Sequence, residues 1–256
     1  MDEKQKITTD YILEKIRESK VNEKQLTYEE ALNVVYKYVG KGNENGSVEE
    51  KLEIAKAVRT VICHEKGMDE SKIHYRLMDK ESTQKASRPS ASWNTPAEHE
   101  QDELFGIIKI NPALFTERKN SNFMKILTHE FGHGCQFFTN DPVLKNAVRI
   151  DPTKRGLGAM IDAKIQWLAN DAEIGADRFA ANKYYEWIDG YAQSGGKTGV
   201  VIAEKAKHMI SSGRKELEHF AGKSTDWTLK TFKKLFGKNK TAESAKTAAV
   251  DNEMEQ

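Results

Sequence analysis

An α+β fold in which helices dominate, with a small sheet beside one long helix and further helices at both ends, is what the sequence predicts. Three features carry this reading. Hydroxyl residues at 27 and 47 are each followed three positions later by Glu, and the second leads into a broad apolar stripe at helical spacing. Two short stretches, 72–78 and 104–111, read as strands. Helical periodicity then returns from about residue 120 onward.

Thr27-Tyr-Glu-Glu30 and Ser47-Val-Glu-Glu50 both fit a capping box, in which the hydroxyl accepts from the third helical N–H and the Glu bonds back to the cap. Behind the second, Val48, Leu52, Ile54, Ala55, Val58, Val61 and Ile62 form the buried face of a helix, and Gly67 closes it. Cys63 and His64 end that helix; adjacent helical residues diverge by about 100°, so they read as buried filler, not as a joint site. Lys72 to Met78 is expected to be a strand, and Glu81 to Gln101, rich in Ser, Thr, Pro and charge, a long loop or flap carrying Trp93. Leu104 to Asn111 is the clearest strand, stopped by Pro112. Its segment Gly106 to Asn111 is either an edge open to an extended peptide or a strand paired on both sides. A helix is predicted from Asn120 or Ser121 to about Phe138, then a short one after Asp141-Pro142, a loop at Asp151 to Gly158, a long helix from about Ala159 to Ile188, and another from Val200 to Phe220. Trp227 to Phe236 reads as a short basic amphipathic helix, and the polar residues after Gly237 as disordered.

The chain has 256 residues, 38% hydrophobic and 31% charged, with five prolines, enough for one sizeable core with a well-solvated surface. Forty Lys+Arg against 39 Asp+Glu leave a formal charge of +1, so no polyanion is called for and no nucleic-acid partner is expected. Two cysteines, Cys63 and Cys135, are too few for a disulfide framework and are expected to be reduced. Neither a signal-like N-terminus nor a run of about 18 apolar residues is evident, which points to the cytoplasm, with signal-independent export as the alternative.

His129-Glu-Phe-Gly-His133 falls within the helix predicted from residue 120. On a helix, positions i and i+4 lie about 40° apart, so both imidazoles can grip one ion while Glu130 reaches a water on it. A catalytic zinc commonly takes three protein ligands, and two His with one Glu is a known set. Asn170-Asp-Ala-Glu173-Ile-Gly-Ala-Asp177 places Glu173 and Asp177 one turn apart on a second helix, among small residues. Gly132 and Gly134 on the first helix and Gly175, Ala176, Ala180 and Ala181 on the second would let the two approach closely. Glu173 is the leading third ligand, with Asp162, Asp171 and Asp177 as alternatives.

The pairing of His129-Glu-Phe-Gly-His133 with the later Glu173-Ile-Gly-Ala-Asp177 resembles the gluzincin metallopeptidases, whose third ligand is a helical Glu. The His-Glu-x-Gly-His form with Ala176-Asp-Arg-Phe-Ala-Ala181 is also similar to the ImmA/IrrE-type metallopeptidases, and the Glu-x-x-Ala-Asp element to a membrane-associated gluzincin group. The resemblance covers roughly residues 104 to 188. It implies a zincin-like metallopeptidase domain holding Zn2+ on His129, His133 and Glu173, with Glu130 as general base and Asp177 orienting a ligand histidine. The metzincin extension would need Gly at 136 and His at 139, which here are Gln136 and Thr139. On this reading residues 1–70 form a helical region packed on or extending the catalytic domain, 71–222 that domain, and 223–256 the basic helix and disordered tail.

The implied activity is peptide-bond hydrolysis by a Glu-activated water at zinc, with a protein or peptide as substrate. The alternative is a zinc-stapled binding or regulatory domain without turnover; a base beside the ligands favours the enzyme. Tyr184, Tyr185, His208, His219 and Arg178 are the candidate oxyanion donors. Cys135 is expected to point away from the metal-facing stripe as a buried thiol. Leu229, Phe232, Leu235 and Phe236 with Lys230, Lys233, Lys234, Lys238 and Lys240 fit a helix docked on the domain more readily than a membrane-surface contact.

Overall fold

The computed structural model describes residues 9–24, 26–78, 91–146, 165–166, 168 and 170–253. Its elements, in chain order, are α1 (Thr9–Ser19), α2 (Tyr28–Gly40), α3 (Val48–Lys66), β1 (Ile73–Leu77), β2 (Ala91–Asn94), β3 (Gly106–Ile110), α4 (Leu114–Glu117), α5 (Asn120–Phe138), α6 (Asp171–Gln193) and α7 (Thr198–Glu253). Single 3-10 turns lie at Glu70–Lys72, Glu98–Glu100 and Pro142–Asn146. The fold is mostly helical with one small mixed sheet, as the sequence predicts. Contacts divide the chain into two compact units, residues 1–145 with 175–213, and 146–174 with 214–256.

In the first unit both predicted capping boxes form: Thr27 and Ser47 accept from the N–H groups of Glu30 and Glu50, whose carboxylates bond back to the cap N–H groups. Gly67 ends α3 at φ 65°, in the left-handed region that a glycine enters without a Cβ clash. Between these caps the apolar stripe of α3 is buried, and Val58 and Ile62 join Leu127 and Phe131 of α5 in the same core as the sheet residues Ile73, Ile108 and Ile110. The N-terminal helices are therefore part of the core that carries the H-E-x-x-H helix.

A buried ion pair ties these layers together. Arg59, with no exposed surface, donates to Glu70 Oε1 and to the carbonyls of Ile73 and Glu23, while the Thr60 hydroxyl donates to the same Glu70 oxygen at 2.9 Å. Each partner of the guanidinium is thus satisfied inside the protein, which is the condition for a buried charge to be tolerated.

The sheet has the order β1-β3-β2, with β1 parallel and β2 antiparallel to β3. Gly106–Ile110 is accordingly central, so of the two readings of this strand the one paired on both sides holds, and among the described residues β2 takes the edge. Part of the expected loop is also ordered as structure: residues 81–90 lie outside the described residues, but Ala91–Asn94 is a strand paired with β3 from Ala91↔Ile110 to Asn94↔Ile107. Ala-Ser-Trp-Asn alternates apolar and polar, but over only four residues within a polar, Pro-containing stretch; pairing with β3 and the packing of half-buried Trp93 against Phe105 and Phe131 make it a strand, a cause that lies outside the segment. At the other edge, Asn22 mimics a further strand, accepting from the Tyr75 N–H at 2.7 Å and donating to its carbonyl at 3.1 Å.

The long helix expected from Ala159 is interrupted. Residues 159–164 and the Asp151 to Gly158 loop lie outside the described residues, and Asn170 stands outside helix with its side-chain oxygen accepting from Ala172 N at 3.0 Å, which starts α6 afresh. Within the second unit, His219 Nδ1 contacts the Leu168 carbonyl at 3.0 Å and Lys223 pairs with Asp171 at 2.6 Å. Helix α7 continues through Gly237 to Glu253, past the point where apolar periodicity stops; Ala242, Ala245, Ala248 and Ala249 supply strong helix formers there. Among the described residues no helix is long and apolar enough to cross a membrane.

α7 also shows a burial pattern opposite to its hydrophobicity in the first unit. Glu204 and His208 are buried while Ile202, Met209 and Ile210 are exposed. Glu204 accepts from the Tyr184 hydroxyl at 3.0 Å, a contact that needs this face of the helix turned inward.

Two outcomes follow. Arg59→Leu, which leaves the Glu70 carboxylate buried without its cation, should lower the unfolding free energy by about 3–5 kcal/mol in urea titration. A loss under about 1 kcal/mol, the range of exposed pairs, would show that the clamp is dispensable. Burial pushes the Cys63 thiol up to about 12 and the Cys135 thiol up to about 11, so at pH 8 native protein should alkylate far more slowly than the same protein in denaturant, counted by mass spectrometry.

Candidate metal centre

α5 places His129 and His133 one turn apart with ring centroids 4.8 Å from each other and planes nearly perpendicular. Glu130, between them in sequence, is almost fully buried and its Oε2 accepts from the Trp93 backbone N–H at 2.6 Å. That N–H belongs to β2, the edge strand among the described residues. The indole of Trp93 anchors the strand: a Cβ on Gly106 would fall 2.1 Å from it and one on Gly134 2.7 Å, and Phe105 and Phe131 pack against it at 5.9 and 6.4 Å. Gly134 therefore makes room for a ring of the sheet, not for the second helix as the sequence suggests.

Gly132 serves the helix approach. A Cβ there would stand 2.8 Å from Ala176 Cα, so α5 and α6 touch backbone to backbone. One residue on, buried Asp177 places Oδ1 2.9 Å from His129 Nδ1. With a carboxylate accepting at Nδ1, the ring carries its proton there and presents the lone pair of Nε2. His133 is held in the same sense: its Nδ1 lies 3.1 Å from Oε1 of Gln136, a residue the sequence marks only as a departure from the metzincin pattern. The signal for it was the i, i+3 spacing, which puts the two side chains on neighbouring positions of one face.

Glu173 occupies the first turn of α6, one turn ahead of Asp177 on the same helix. Ligand atoms of His129, His133 and Glu173 all lie within 4.8 Å of one another, and among the described residues this is the group of His, Cys, Asp or Glu that could hold a metal ion. All three side chains are half-buried. Two imidazoles and a carboxylate, with the outer nitrogen of each imidazole engaged, fit a first-row divalent cation such as zinc.

Other candidates fall elsewhere. Asp171 is exposed and pairs with Lys223, and Asp162 lies outside the described residues. Tyr184 is buried, its hydroxyl bound to Glu204 and its pKa driven upward by burial. His208 packs against the rings of Tyr184 and Tyr185 at 6.2 and 5.5 Å, and its Nδ1 is buried without a hydrogen-bond partner. Burial, helped by Lys125, lowers its pKa. Arg178 is exposed. Cys63 is buried whereas His64 is exposed and stacked on Tyr28 at 4.3 Å, so the two diverge as expected. Cys135 is half-buried, with Lys66, Lys183 and Glu65 among its charged neighbours.

Gly132→Ala should separate packing from propensity. Helix propensity alone would stabilise by about 1 kcal/mol, but contact with the Ala176 backbone should reverse the sign and cost about 1–3 kcal/mol in denaturant titration. A stabilised variant would show that the helices can part freely at this point. No protein-family model matches this chain, and the searches of curated proteins and of solved structures likewise return no match.

Proposed function

We propose that this protein is a zinc-dependent peptidase whose metal is held by His129, His133 and Glu173 and whose general base is Glu130. The observation that carries the reading is the convergence of those three ligand groups within 4.8 Å beside a buried carboxylate already gripped by a backbone N–H. A purely structural site has four protein ligands and no need of a base, whereas three ligands beside a fixed carboxylate suit hydrolysis.

A zinc ion so held supplies a Lewis acid that acidifies water and polarises a carbonyl. The protein's part is positional. Asp177 and Gln136 keep Nε2 of each histidine available, and the Trp93 N–H fixes the direction of the Glu130 carboxylate. Glu130 takes a proton from the attacking water and returns it to the leaving amine, so one residue serves as base and then acid. β2, as the edge strand next to Glu130, is the place where an extended peptide can add to the sheet and lay an amide beside the base. The polar edge residues Ser92 and Asn94 suit a solvent-facing edge of this kind.

Wild type, Glu130→Gln and Glu173→Ala, purified without chelator, test this by zinc content and by cleavage of a diverse peptide library. Near-stoichiometric zinc is expected in wild type and Glu130→Gln, turnover in wild type alone with Glu130→Gln down by about 10²–10⁴-fold, and zinc lost from Glu173→Ala. Wild type without zinc would overturn the site. Zinc without cleavage would replace the peptidase by a metal-stapled binding domain.

A further inference from the structure

A metal-bound imidazole is only as well aimed as the group on its other nitrogen. For His129 that group is Asp177, across the helix interface. For His133 it is Gln136, and resting on the metal reading above, we propose that Gln136 is a positioning residue of the centre: its amide oxygen selects the Nδ1–H tautomer of His133, and Gly175 exists to seat that amide.

Three observations support this. Gln136 is buried, although glutamine is usually a surface residue, and its Oε1 stands 3.1 Å from His133 Nδ1. An amide oxygen is an acceptor only, so this contact requires the proton on Nδ1 and leaves the Nε2 lone pair for a ligand. The other end of the same amide explains a glycine in α6. A Cβ at Gly175 would fall 2.7 Å from Gln136 Nε2, and no other atom except the Gln136 Cδ at 3.9 Å would be near it. Gly175 sits in sequence between Glu173 and Asp177, so the segment bearing the third ligand is opened at one position for a side chain of the first helix. The choice of amide over carboxylate also follows from charge. Glu130, Glu173 and Asp177 already bring three carboxylates to the surroundings of one divalent ion, and a neutral acceptor fixes the ring without adding a fourth.

The test combines zinc affinity by chelator competition with the 15N tautomer signature of His133 in zinc-free protein at pH 8. The variants are Gln136→Leu, Gln136→Glu, Gly175→Ala and the double variant Gln136→Leu/Gly175→Ala. Gln136→Leu and Gly175→Ala should each weaken zinc binding by about 10- to 100-fold. Because both act through one amide, the double variant should bind no more weakly than Gln136→Leu alone. Gln136→Glu, which keeps an acceptor while adding a fourth carboxylate, should keep His133 in the Nδ1–H form. Zinc-free wild type should show His133 protonated at Nδ1, and Gln136→Leu should shift it to the Nε2–H form. An Nε2–H tautomer in wild type, or unchanged zinc affinity in Gln136→Leu, overturns the proposal. Wild type that binds no zinc sinks the metal reading instead, and the tautomer measurement still decides the role of Gln136.

Discussion

Between Gly132 and Ala176 there is no room for a methyl group, and most of what the candidate site can do depends on that contact. Helices normally pack with axes 8–10 Å apart, the spacing set by the side chains between them. Taking the side chain away at 132 lets α6 approach α5 until Asp177 reaches the His129 ring at 2.9 Å. The glycine has a conformational cost in mid-helix, about 1 kcal/mol relative to Ala, and that cost is offset by packing and by the polar contact it permits.

Polar groups in this region are tied to elements other than their own wherever a change of register would break the site. Glu130 is held by the backbone of β2, His129 by α6, and His133 from within α5 by Gln136. Each of these bonds satisfies a group whose burial without a partner would be unfavourable by roughly 1–3 kcal/mol. Sliding α5 by one residue against the sheet or against α6 would leave several of them unsatisfied together. The network thus selects one arrangement of an otherwise apolar core, which is the role that fully satisfied polar clusters play best.

Trp93 links the sheet to the base in two ways at once. Its ring, wedged against positions 106 and 134 where glycine gives it space, secures β2, and its N–H then has a fixed direction in which to meet Glu130. The indole nitrogen is buried without a hydrogen-bond partner, so the ring is held there by packing alone. In α7, by contrast, Glu204, bound to Tyr184, lies on the buried face, and the apolar residues Ile202, Met209 and Ile210 are left outside. Packing marks one element and a hydrogen bond the other, although both segments are short of local information.

Local sequence was enough for features whose cause is local. The capping hydroxyls at Thr27 and Ser47, the left-handed glycine at 67, the stripe of α3 and the pairing of His129 with His133 on one helical face each depend on residues within a few positions of one another. The proximity of Glu173 to those histidines was also legible, because small residues on both helices announce a close approach and one turn separates Glu173 from Asp177. What tertiary structure alone decided was everything requiring a partner distant in the chain. Ala91–Asn94 became a strand because β3 pairs with it, Gly106–Ile110 proved to be paired on both sides because β2 covers it, and Gly134 answers to an indole 41 positions earlier in the chain. Gln136 shows the limit most plainly. Its spacing from His133 is local, but the space that lets its amide lie buried there is created by Gly175 on another helix, and no pattern confined to α5 contains that fact.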